Sequence, residues 1–127
     1  MNRIRHPLYL LLALSGGLLL VPIALAQPKG KTITATGELV DTWCYFEGGD
    51  HGPQHKACST ACAKAGNPIG LLQKNGRVFI LAGMKDHQPA RDLLAAHMNE
   101  NVSVKGTLVS KGGVNMLYVN SVAPQKR

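Results

Sequence analysis

Aromatic residues are scarce in this chain of 127 residues, which has two phenylalanines, three tyrosines and one tryptophan. Acidic residues are also few, seven against 14 lysines and arginines, for a net charge of +7. A surface that holds nucleic acid interleaves cations with stacking aromatics. Here the basic residues stand singly, apart from the Lys126–Arg127 tail, so the charge describes an ordinary solvated surface and no nucleic-acid partner is expected. The chain has no CxxC pair, no cysteine followed by histidine as in a c-type haem site, and no phosphate-binding glycine loop. No Ser-His-Asp set or paired carboxylates argue for a hydrolase or a kinase. There is no internal repeat and no low-complexity segment. Cysteine is sparse and odd in number, three in all.

Of what is present, the N-terminus sets the compartment. Arg3 and Arg5 precede an apolar run from about Leu8 to Leu25, which closes on Ala24-Leu25-Ala26. That order of charge, apolar core and small residues predicts a secretory signal peptide over 1–26, cleaved near Ala26. Gly16, Gly17 and Pro22 favour cleavage over a retained anchor, and an uncleaved segment is the one expected route to a membrane. No cysteine follows the apolar core closely, which argues against a lipid anchor. The expected product, 27–127, is a single periplasmic or secreted domain with one modest core. Loss of Arg3 and Arg5 lowers its charge to +5.

Along that domain, Thr32, Thr34 and Thr36 alternate with Ile33, Ala35 and Gly37, which predicts a first strand running through "TITATGELVDTWCYF". Gly48, Gly49, Gly52 and Pro53 then make a turn, and "PQHKACSTACAKAG" reads as a helix stopping at Gly66. "GLLQK" and "RVFILA" form a hairpin about Asn75-Gly76. "QPARDLLAAHMN" carries Leu93, Leu94 and Met98 at helical spacing, and two strands joined across "KGG" end the chain. With the Cys/His segment at about 44–68 set aside, the order is β-β-β-α-β-β. The expected class is therefore mainly β with short helices: an OB-fold-like five-stranded barrel with a helical Cys/His insert between strands 1 and 2. An open α+β sheet is the competing arrangement. "TATGELV" and "VSVKGTL" also resemble segments of small periplasmic OB-fold proteins.

The insert carries the chemistry. His55, Cys58 and Cys62 on one helix fall within ~60° of its circumference, in a row on one face. Cys58 and Cys62 are poorly placed to bridge each other. Side chains four apart on a helix have Cβ atoms roughly 5–6 Å apart, whereas a disulfide needs about 3.8 Å. In one reading Cys44 pairs with Cys58 or Cys62, stabilising the exported fold by about 3 kcal/mol and leaving one thiol over. In another, Cys44, His55, Cys58 and Cys62 converge on one copper or zinc ion, with copper favoured. An odd cysteine count suits a Cys3His set better than a disulfide framework. The expected function is metal delivery, sequestration or electron transfer, with a metal-donor or metal-acceptor protein as partner. A thiol-disulfide oxidoreductase built on Cys58, near the helix N-terminus and beside His55, is the enzymatic alternative. A disulfide-stapled partner-binding module is the structural one.

Weaker candidates lie nearby. His51 offers an auxiliary ligand or a solvated loop histidine, and Met84 with His87 a soft pair or a core methionine beside a surface histidine. Met98 and Met116 are expected in the core. Trp43 and Tyr45 should face away from Cys44 on the strand and serve packing, and Asp41 and Glu47 either hydrogen-bond His55 behind the metal or lie at the surface.

The run Gly37-Glu38-Leu39-Val40-Asp41-Thr42-Trp43-Cys44-Tyr45, followed by His55, Cys58, Cys62, Gly66 and Pro68, resembles the pattern of uncharacterised exported bacterial small-domain proteins. That resemblance implies that the cysteines and histidine belong to one site. The CxxxC spacing is similar to that of exported copper proteins, the assembly factors and the copper site of cytochrome oxidase. The match is to spacing: Ala63 stands where the assembly factors have proline, and His55 precedes the pair, whereas the oxidase histidine follows it.

Overall fold

The first strand organises the molecule. The computed structural model describes residues 27–125, so the expected signal peptide lies outside the described residues. Strand β1 (Lys31–Asp41) turns Ala35, Gly37 and Leu39 inward and leaves Thr32, Thr34 and Thr36 exposed, the period of two expected from the sequence. Over Lys31–Glu38 it pairs antiparallel with β4 (Asn101–Lys111), and over Glu38–Asp41 with β2 (Ile69–Leu72). Where it changes partner the backbones crowd. A Cβ on Gly37 would lie 2.4 Å from the Leu72 carbonyl oxygen, so only glycine fits there.

β2 turns through Asn75-Gly76 into β3 (Val78–Gly83), as the sequence predicts, with the Gln73 N–H donating to Arg77 O at 2.8 Å. β3 runs parallel to β5 (Val114–Pro124), which returns antiparallel to β4. The ring closes in the order β1-β2-β3-β5-β4. This is the OB-fold-like barrel, closed rather than an open sheet.

Leu39, Ile69, Leu71, Phe79, Leu81, Val102, Val104, Leu117 and Val119 fill it. Each such side chain contributes on the order of 1.5–3 kcal/mol by leaving water. Helix α3 (in these ranges Arg91–Leu94), extended by a 3-10 turn at Ala95–His97, adds Leu94 and Met98 to the same core. The helix expected to reach Asn99 is shorter because β1 takes over its next residues. Asn99 N–H donates to Leu39 O at 2.8 Å, and Leu39 N–H to Glu100 O at 3.1 Å. Met98 is core as expected, but Met116 is half-buried, because only Leu117 and Val119 around it point inward.

The first strand is also shorter than expected. It ends at Asp41, and Thr42–Gly48 form a helix, α1. Asp41 caps that helix, its Oδ1 accepting from Cys44 N–H at 2.9 Å, and left-handed Gly49 closes it by donating to Tyr45 O at 2.9 Å. Two capping signals outweigh the strand preference of Trp43, Tyr45 and Phe46.

Candidate metal centre

All four sequence-chosen donors lie in the helical segment between β1 and β2. The segment leaves the barrel at Thr42 and returns at Pro68. There the Thr42 N–H and Oγ1–H both donate to the Pro68 carbonyl, at 3.1 and 2.9 Å. Cys44 sits in the first turn of α1, half-buried, while Trp43 and Phe46 on the same helix are 71% and 67% exposed. Cys44 therefore stands on a helix, and the strand alternation expected for Trp43 and Tyr45 does not apply.

The glycine-rich loop is fixed by Glu38. This β1 carboxylate accepts from Gly52 N–H and from Asn99 Nδ2 (3.0 Å), and its other oxygen lies 3.3 Å from His51 Nδ1. His51, turned to Glu38 and edge-on to Tyr45, serves the loop. From there a 3-10 turn, Pro53–His55, leads into helix α2 (Lys56–Ala65), which ends on left-handed Gly66 as predicted. His55 thus precedes the helix and does not lie within it.

Ser59 and Ala63 are the buried residues of α2, and the helix packs against β1. Cys58 and Cys62 each precede one of these by about 100°, so they flank the buried stripe. Lys56 pairs with Glu100, whose other oxygen is 3.0 Å from His97 Nδ1, and this ties the start of α2 to the segment that leads into β4. Glu100 is held below its ordinary carboxylate range by Lys56 first and His97 second.

The donor atoms form two overlapping groups. Those of Cys44, His55 and Cys58 lie within 4.8 Å of one another, and so do those of Asp41, Cys44 and Cys62. Cys44 belongs to both. A zinc–sulfur distance of 2.3 Å separates the sulfurs of a tetrahedral site by about 3.8 Å, so small side-chain movements bring either group onto an ion. The cysteines are unpaired. Two polar atoms at the site are buried without a hydrogen-bond partner, His55 Nε2 and Asp41 Oδ2. Such atoms are costly unless a ligand or ion engages them, and both are metal-donor atoms.

The Asp41 carboxylate and burial hold the thiol protons on. The Cys44 thiol is pushed up to about 12, first by the Asp41 carboxylate beside it, then by burial and by the charges of Asp41, Cys58 and Cys62. Cys62 is also raised, by burial first and then by Asp41. Both shifts run opposite to the depression that makes a nucleophilic thiolate.

The remaining candidates fall away from the cluster. His87 is almost fully exposed beside Asp86, Met84 is half-buried, and Glu47 is exposed. Asp41, expected behind His55, instead stands among the donors beside Cys44 and Cys62. The spacing Asp-x-x-Cys fits an N-cap three residues before the residue it bonds, which accounts for its nearness to Cys44 and gives no sign of Cys62. No protein-family model, curated protein or solved structure matches the chain.

Proposed function

We propose that this is an exported transition-metal-binding protein that holds copper or zinc through Cys44, His55, Cys58 and Cys62 and passes it to, or takes it from, a partner protein. The observation that carries this reading is convergence. Side chains from α1, the 3-10 turn and α2 bring the Cys44 sulfur close to His55 and Cys58 on one side and to Cys62 on the other, and His55 Nε2 is buried and unpartnered. Thiolate and imidazole donors suit both Cu(I) and Zn2+. Exposure favours exchange over a closed structural site. Cys58 is exposed and His55 and Cys44 half-buried, so an incoming ligand can reach the outer donors. The proposed compartment is the periplasm or the exterior, after cleavage near Ala26.

Binding displaces protons from thiols, most firmly held at Cys44, so affinity falls as pH falls. The test is native mass spectrometry of the exported protein, purified without chelator or reductant, with a thiol count on the same sample. A mass excess of metal with protected cysteines is the expected result. A bare mass two protons light, with one reactive thiol, would instead favour the disulfide reading, for which the closeness of the Cys44 sulfur to those of Cys58 and Cys62 is the supporting observation. Reduced protein that binds neither copper nor zinc would sink the proposal.

A further inference from the structure

The geometry points to two metal positions that share the Cys44 sulfur, with Asp41 as a ligand of the inner one. The inference rests on the metal-binding reading above and adds to it a fifth donor and a second ion. The outer position is Cys44, His55 and Cys58; the inner is Asp41, Cys44 and Cys62. His55 and Cys62 belong to different groups, so the five donors describe two adjacent triads better than one shell. A thiolate has lone pairs for two ions, and Cys44 is the donor both triads contain.

Asp41 is the independent observation. The residue is 1% exposed, Oδ1 is occupied by Cys44 N–H, and Oδ2 has no partner. Among the described residues no lysine, arginine or histidine forms an ion pair with it. A buried carboxylate oxygen with no partner costs free energy, and a cation between Asp41, Cys44 and Cys62 would engage it. The carboxylate also selects the class of ion. Zinc accepts sulfur, imidazole and carboxylate oxygen together, whereas Cu(I) prefers the soft outer set. Three protein donors at each position leave a place for water or a ligand from outside.

The experiment is zinc titration of the reduced full-length mature chain, read as stoichiometry by native mass spectrometry and as affinity by competition with a chromophoric chelator. The informative variant is Asp41→Asn. Asparagine caps a helix as well as aspartate does, so α1 keeps its N-terminus while the carboxylate is lost. Circular dichroism checks the barrel, and Cys62→Ser probes the inner position from its other side should Asp41→Asn misfold. Wild type is expected to hold two zinc ions and either variant one. With Cu(I) alone, wild type is expected to hold one ion.

A single zinc ion at saturation in wild type overturns the second position and leaves the metal-binding reading standing. Two ions in wild type and still two in a folded Asp41→Asn variant overturn the role of Asp41. Wild type that takes neither zinc nor copper overturns both readings together.

Discussion

The barrel and the segment inserted between its first two strands are held by different forces. In the barrel, β1 alone buries Ala35 and Leu39, and the facing strands bury leucine, isoleucine, phenylalanine and valine behind them. From 42 to 68 only Thr42, Ser59 and Ala63 are buried. Such small side chains supply little of the apolar burial that stabilises a fold. The insert is held instead by polar ties: the Asp41 cap, the Glu38 loop contacts, Lys56 to Glu100, and Thr42 to Pro68. A region with little apolar burial opens locally at lower free energy than the core does. The stabilising core and the candidate metal donors thus sit in separate parts of one small chain, joined at the end of β1.

The largest effect expected from breaking that division is in the barrel. Leu71→Ala should lower stability by about 2–5 kcal/mol, seen in urea denaturation as a shifted midpoint with loss of the whole fold. The insert should answer differently. Cys44→Ser removes the donor common to both groups and should abolish measurable metal binding in equilibrium dialysis, yet leave the urea midpoint of the metal-free protein close to that of wild type, a stability difference of about 0.5 kcal/mol or less. A large fall in that midpoint would show that the two regions are one cooperative unit. Chelation of the loaded protein sharpens the same contrast. Hydrogen exchange should quicken over 42–68 on metal removal while the central amides of β4 and β5 stay protected.

How far these regions could be read beforehand follows the same line. The barrel was legible because its signals are local and periodic: threonines on alternate positions of β1, Asn75-Gly76 at the hairpin turn, and the order of elements around it. The three cysteines and His55 were legible by residue type and spacing. The start of α1 was not, because Trp43, Tyr45 and Phe46 prefer strands and only the cap at Asp41 with Gly49 decides otherwise. The place of Asp41 was hidden for a tertiary reason. Its carboxylate meets Cys62 only once α2 has folded back against β1, and no spacing along the chain encodes that meeting.

Two smaller effects test the polar ties. Asp41→Ala should cost about 0.5–2 kcal/mol through the lost cap, more than Asp41→Asn, as measured by thermal unfolding of the metal-free protein. Glu100 gives the smallest effect and a pH signature. Its carboxyl is depressed in the folded state by Lys56 and His97. Its stabilisation is therefore fully present above the unfolded carboxylate value, about 4.3, and is lost as pH falls through the lower folded value. Glu100→Gln should flatten the acid limb of the stability profile below about pH 5 and change little at neutral pH. An unaltered acid limb would remove this tie from the account.

The paired bonds from Thr42 to Pro68 bear on how such a protein can change over generations. Asp41 and Ile69 are register partners at the end of the β1–β2 ladder, so the barrel itself holds the two ends of the insert together. Lengthening a chain segment whose ends are already fixed adds little closure entropy, about 0.6 kcal/mol for each doubling. Whatever is spliced between those two strands inherits a rigid mount. Exchange of 43–67 for another short helical hairpin could then replace the whole set of donor side chains while folding stayed with the strands.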